Sequence, residues 1–184
     1  MFQPRLKLEF IRLQFPLAES WCVCVDIDAS EEGRTGGSRK SEFALTRQRK
    51  MTADAQCVRQ ELKQFGVQVG ARKRWLENLA RSAGVPKVKG DRDVIAYNVK
   101  QRRLVIAEVE GESSGQPEQK LYKAIGQLVF AASEPDPAGW KRELFLVVEG
   151  GTIAERAKDA RCLRRLGISA VSVSGSPPAL TRVF

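Results

Sequence analysis

The chain has 184 residues, of which 42% are hydrophobic and 29% charged, enough for one globular α/β domain and too few for two full ones. It contains no histidine, which excludes Ser-His-Asp and Cys-His nucleophiles, histidine-metal hydrolases and HNH-type nucleases. Any general base must then be a carboxylate, a lysine or a metal-bound water, and the net charge of +9 favours polyanionic partners.

Residues 1–50 hold nine Lys/Arg against seven Asp/Glu, leaving twenty-two against fifteen for residues 51–184. In the first stretch an apolar patch from Cys22 to Ile27 gives way to a Ser, Gly and charge-rich run over 29–41, the composition of a flexible segment. Residues 1–50 are therefore expected to be a partly flexible N-terminal extension, with the domain at 51–184. No run reaches the ~20 apolar residues of a membrane span, and charges interrupt residues 1–18 where a signal-peptide core would lie, so a soluble, cytoplasmic protein with no membrane partner is expected. Cys22, Cys24, Cys57 and Cys162 lack zinc-site spacing and read as reduced thiols.

Val58, Leu62 and Phe65 recur at helical spacing, as do Trp75 with Leu79 and the row Leu76, Ala80, Ala83, which Gly84 and Pro86 close. The runs Asp93–Tyr97 and Leu104–Glu110, joined by a polar turn, read as a β-hairpin. Pro117 opens a helix with the apolar stripe Leu121, Ile125, Leu128, Ala132, and Pro135 ends it. Leu144–Val148 is a strand, Thr152 and Glu155 carry a capping-box pattern for a helix to about Leu166, and Ile168–Val173 is a last strand. The order helix, helix, hairpin, helix, strand, helix, strand requires parallel crossovers, so an α/β fold with a mixed sheet and helices on both faces is expected.

The hairpin concentrates the chemistry. Side chains alternate along a strand, so Glu108 and Glu110 share a face roughly 6.5 to 7 Å apart. If Tyr97 and Leu104 are partners, Asp93 lies opposite Glu108 with Cβ atoms about 4.5 to 5.5 Å apart. Facing carboxylates repel, and either a metal or a basic side chain must offset them. Asp91 is a weaker substitute for Asp93, and Glu110 before Gly111 also reads as an exposed strand end. On the following helix Gln116, Lys120, Lys123 and Gln127 form one polar stripe, either a solvated face or a surface for phosphates and bases. Arg72–Arg74, Lys100–Arg103 and the trio Arg161, Arg164, Arg165 are basic clusters that could follow a nucleic-acid backbone.

The run Asp93 … Glu108-Val109-Glu110 followed by a Gln/Lys-rich helix resembles the PD-(D/E)XK, or restriction-endonuclease-like, nuclease superfamily over residues 72–150. Gly90-Asp91-Arg92-Asp93 stands for the usual Pro-Asp, and Glu110 for the lysine of the triplet. The resemblance implies a three-layer restriction-endonuclease-like fold, Mg²⁺ or Mn²⁺ bound by Asp93, Glu108 and the Val109 carbonyl, and catalysis by Asp93, Glu108 and Glu110, with Lys120 replacing the displaced lysine. Gln116, Gln119, Lys123 and Gln127 would contact the nucleic acid, DNA first, and a homodimer would suit double-strand cleavage. The alternative within the same superfamily is a catalytically inactive nucleic-acid-binding or assembly module.

Overall fold

The computed structural model describes residues 1–16, 20–27, 42–111 and 117–184. The elements are α1 (Gln3–Gln14), β1 (Trp21–Val25), α2 (Glu42–Gln64), β2 (Gln68–Val69), α3 (Arg72–Ala83), β3 (Val94–Asn98), β4 (Arg103–Glu110), α4 (Pro117–Ser133), β5 (Lys141–Glu149), α5 (Thr152–Asp159), α6 (Cys162–Arg165), β6 (Ile168–Ser174) and β7 (Ala179–Arg182). The strands form one mixed seven-stranded sheet in the order β2-β1-β3-β4-β5-β6-β7. β1, β3 and β4 lie side by side and antiparallel, with α2, β2 and α3 inserted between β1 and β3, while β4, β5 and β6 run parallel.

Strand periodicity divides the core in two. Val94, Ala96, Val105, Ala107, Val109 and Val147 face α1 and α2, where Leu6, Leu8, Phe10, Val58 and Leu62 cover them. The intervening residues Ile95, Tyr97, Leu104, Ile106, Leu146 and Val148 face the opposite layer, where Leu121, Ala124, Leu128 and Leu163 meet them. A strand buried on both faces reads as a continuous apolar run, which is why β4 has no polar alternation before its last turn. Complete burial of a side chain such as Leu128 contributes about 1.5–3 kcal/mol. The α4 stripe centres on Leu121, Ala124, Leu128 and Ala131, with Ile125 and Ala132 at its margin.

The hairpin register is the expected one: Tyr97 pairs with Leu104 and Val94 with Ala107, which places Asp93 at the end opposite Glu108. Three expectations need correction. A domain boundary at residue 50 falls inside α2, and β1 sits within the sheet between β2 and β3, so α1 and β1 belong to the same core as the later elements. α1 escaped notice because it is buried widely, Gln3, Pro4, Leu6, Lys7, Leu8, Phe10 and Ile11 all lying inside, and a helix enclosed on most sides shows no clean amphipathic stripe. The flexible run expected over 29–41 lies outside the described residues. The helix expected to reach Leu166 divides at Ala160 into α5 and α6, and Gly151 caps α5 with φ 83° and no side-chain cap, leaving the Thr152/Glu155 box unformed. Beyond Gly175, at φ 92°, the Pro-Pro turn leads into β7, an antiparallel edge strand.

Candidate functional site

The chain converges on a cleft of about 330 Å³ at the C-terminal end of β4, between the start of α1 and the polar face of α4. In sheets with parallel strands, ligand sites gather at these carboxyl ends, because the loops and helices that follow diverge there. Asp93, Glu108 and Glu110 line the cleft together with Lys120, Lys123 and Gln127. Glu108 is 3% exposed and Glu110 8%, so both carboxylates of the strand are taken from water.

Asp93 and Glu108 have distinct partners. Asp93 accepts a hydrogen bond from the Val109 amide to Oδ2 at 2.8 Å, clamping the hairpin across its open end. Its Oδ1 lies 2.8 Å from the Lys7 ammonium, which also donates to the Asp26 carbonyl at 2.7 Å. Lys7 is fully buried, and a lysine is stable there because an opposite charge and a carbonyl replace its water. Glu108 faces the Arg92 guanidinium at 3.4 Å, and the same Nη1 donates to the Gln127 carbonyl at 2.9 Å. Burial first, and then the charge of Asp93, push the Glu108 carboxyl up to about 8, against the opposing pull of Arg92. Repulsion between facing carboxylates is thus offset within the protein by two basic side chains. Among the described residues, no three acidic or cysteine side chains form a ready metal cage.

The other expected residues fall as follows. The Val109 carbonyl accepts from the Gln3 side-chain amide at 2.7 Å, so a protein donor already occupies the atom expected to reach a metal. Lys120 and Lys123 line the cleft as expected, whereas Gln119 is exposed and not part of its lining. Gln127 lines it too, and its side-chain amide uses one of its two N–H groups to donate to the Asp91 carbonyl at 3.0 Å, tying α4 to the β3 approach. Asp91 is an exposed residue ion-paired with Arg72, which also donates to the Arg92 carbonyl at 3.1 Å. Arg72 is therefore a strut of this loop and not part of a free basic cluster. Gln116 lies outside the described residues.

The sequence reading missed Gln3, Lys7 and Arg92. A signal for Lys7 existed: it stands between Leu6 and Leu8 in a segment otherwise dense in large apolar residues. Arg92, set between two aspartates and 7% exposed, carried a similar signal. Comparison with known proteins adds no relative to this picture: no family model matches the chain, and neither the curated proteins nor the solved structures gave a match.

Proposed function

We propose that the chain is a divalent-metal-dependent nuclease that hydrolyses phosphodiester bonds, in DNA first, on a restriction-endonuclease-like core. The observation that carries this reading is the opening of Asp93, Glu108 and Glu110 into one cleft with Lys120 and Lys123, with Lys7 held 2.8 Å from Asp93. The sheet neighbours β1, β3 and β4, antiparallel to one another, followed by α4 and the parallel strand β5, also support it, since the superfamily that the hairpin resembles has antiparallel strands, a helix and a further strand, although here α2, β2 and α3 are inserted between β1 and β3.

Asp93, Glu108 and Glu110 offer only carboxylate oxygens, the donors a hard cation takes, and a cation entering the cleft would take the place of Lys7 at Asp93 Oδ1 and relieve the repulsion that helps raise Glu108. Bound by Asp93 and Glu108, Mg²⁺ or Mn²⁺ supplies charge neutralisation at the phosphodiester and a more acidic water. The chain's own side chains do the rest. Lys120 and Lys123 attract and seat the phosphate on the α4 side. Glu110, on the face shared with Glu108, accepts a proton from the attacking water. Lys7 contributes from α1 the positive charge that Glu110 cannot offer at the triplet's third position.

A second reading, a non-catalytic nucleic-acid-binding or assembly module, is favoured by one specific observation: Lys7 and Gln3 already engage Asp93 and the Val109 carbonyl. Supercoiled plasmid incubated with Mg²⁺, Mn²⁺ or EDTA separates the two. Metal-dependent nicking by the native chain, lost in Asp93→Asn and Glu108→Gln, is the result expected of a nuclease. Intact plasmid under every metal, with retained salt-sensitive binding, would establish the module.

A further inference from the structure

A second hollow of about 230 Å³ lies beside the acidic cleft, and Arg92 lines both. The two are successive stations along one face of β4. Leu104 and Ile106 floor the second hollow, Glu108 and Glu110 line the first, and each two-residue step along the strand advances about 6.6 Å. Val88 and Pro86, from the approach to β3, form one wall, and Pro135 and Pro137, after α4, form the other. At this size the hollow is smaller than the ~300–1,000 Å³ of pockets for drug-sized ligands and suits one flat ring system.

Its polar rim is mixed. Lys87, Lys89, Arg92 and Arg142 face it alongside Glu134 and Asp136, and Arg142 is already ion-paired with Asp136 at 3.0 Å, which leaves Lys87, Lys89 and Arg92 as donors and Glu134 as an acceptor for the edge of a flat group bearing both. Arg92 adds an independent indication: its Nε is buried with no hydrogen-bond partner, although its Nη1 is engaged by Glu108 and Gln127. Buried donors of this kind are normally satisfied, and a ligand acceptor would complete this one. The apolar and proline walls suit the faces of a flat ring, while Arg92 Nε, whose N–H lies in the guanidinium plane, would meet its edge.

We propose that this second hollow is a nucleobase subsite, which receives an unpaired base next to the phosphate held in the acidic cleft and so makes single-stranded or locally unpaired nucleic acid the preferred substrate class. The assignment rests on the nuclease reading for the neighbouring phosphate, but it is tested by binding alone. Fluorescence anisotropy in EDTA would compare a single-stranded DNA oligonucleotide, its duplex, and a set of the same single strands with one abasic position moved along the sequence.

The expected result is binding of the single strand about tenfold tighter than the duplex, with loss of roughly tenfold affinity when one particular position is abasic, the effect of removing one seated base. Val88→Trp and, at an exposed loop position that tolerates substitution, Pro135→Trp fill the hollow and should abolish the abasic dependence while leaving weak, salt-sensitive phosphate binding. Equal affinity for duplex and single strand, or indifference to every abasic position, overturns the subsite. If plasmid cleavage is nevertheless metal-dependent, the nuclease reading survives that failure. Absence of binding to any of these DNAs also overturns the subsite, and the nuclease reading is then decided by the plasmid assay with metal.

Discussion

Glu108→Gln keeps the shape of a buried side chain and removes only its ionisation, which makes it a direct probe of the cleft. In the native fold burial, and secondly Asp93, raise this carboxyl from an ordinary 4.5 to about 8. A raised carboxyl means that between these values the folded chain holds a proton that the unfolded chain has released, so stability falls as pH rises through this window. At 1.36 kcal/mol per pH unit the whole difference amounts to about 5 kcal/mol for a rigid cleft, and water drawn toward the ionised group reduces it; a loss of roughly 2 kcal/mol or more from pH 5 to pH 9 is expected. Urea denaturation of the native chain and of Glu108→Gln at pH 5, 7 and 9 reads this directly. The variant should lose the downward slope and become the more stable of the two at pH 9. Added Mg²⁺ should raise native stability at pH 8, where it favours the ionised carboxylate, and leave Glu108→Gln little changed. Parallel pH profiles for the two proteins would refute the argument that Glu108 is buried beside Asp93 in a cation-seeking cleft.

Lys7→Met removes a fully buried ammonium from a 2.8 Å pair and leaves Asp93 and the Asp26 carbonyl without their donor; the expected cost is about 3 kcal/mol, measured by denaturation, with Asp93→Asn in the same background recovering part of it. Deletion of residues 1–27 removes α1 and β1 and with them Leu6, Leu8, Phe10 and Val25, all fully buried, so the loss of about 6–12 kcal/mol from these four alone is comparable with the 5–15 kcal/mol that hold a typical domain together. The remainder should show no cooperative thermal transition, whereas a dispensable extension would leave the transition intact.

Local pattern was enough for the hairpin and the row of acids, while the hairpin's register, conditional on Tyr97 pairing with Leu104, is fixed by the structure. Residues alternate with period two, and a one-residue slip would turn every β4 side chain to the wrong face. The same periodicity shows that α4 turns Leu121 and Leu128 inward and Lys120 and Lys123 to another side. What covers those faces is a different matter. Gln3 reaches Val109 across 106 residues of sequence, and the partners of Asp93 and Glu108, Lys7 and Arg92, are set by how α1 and the approach to β3 pack against the end of β4. Periodicity says which side of an element is buried but not which distant element buries it. The mixed α/β sheet and its three acids thus follow from the order and periodicity of the residues, whereas the two buried cations that balance the acids, and the place of α1 and β1 in the core, follow from how distant elements pack.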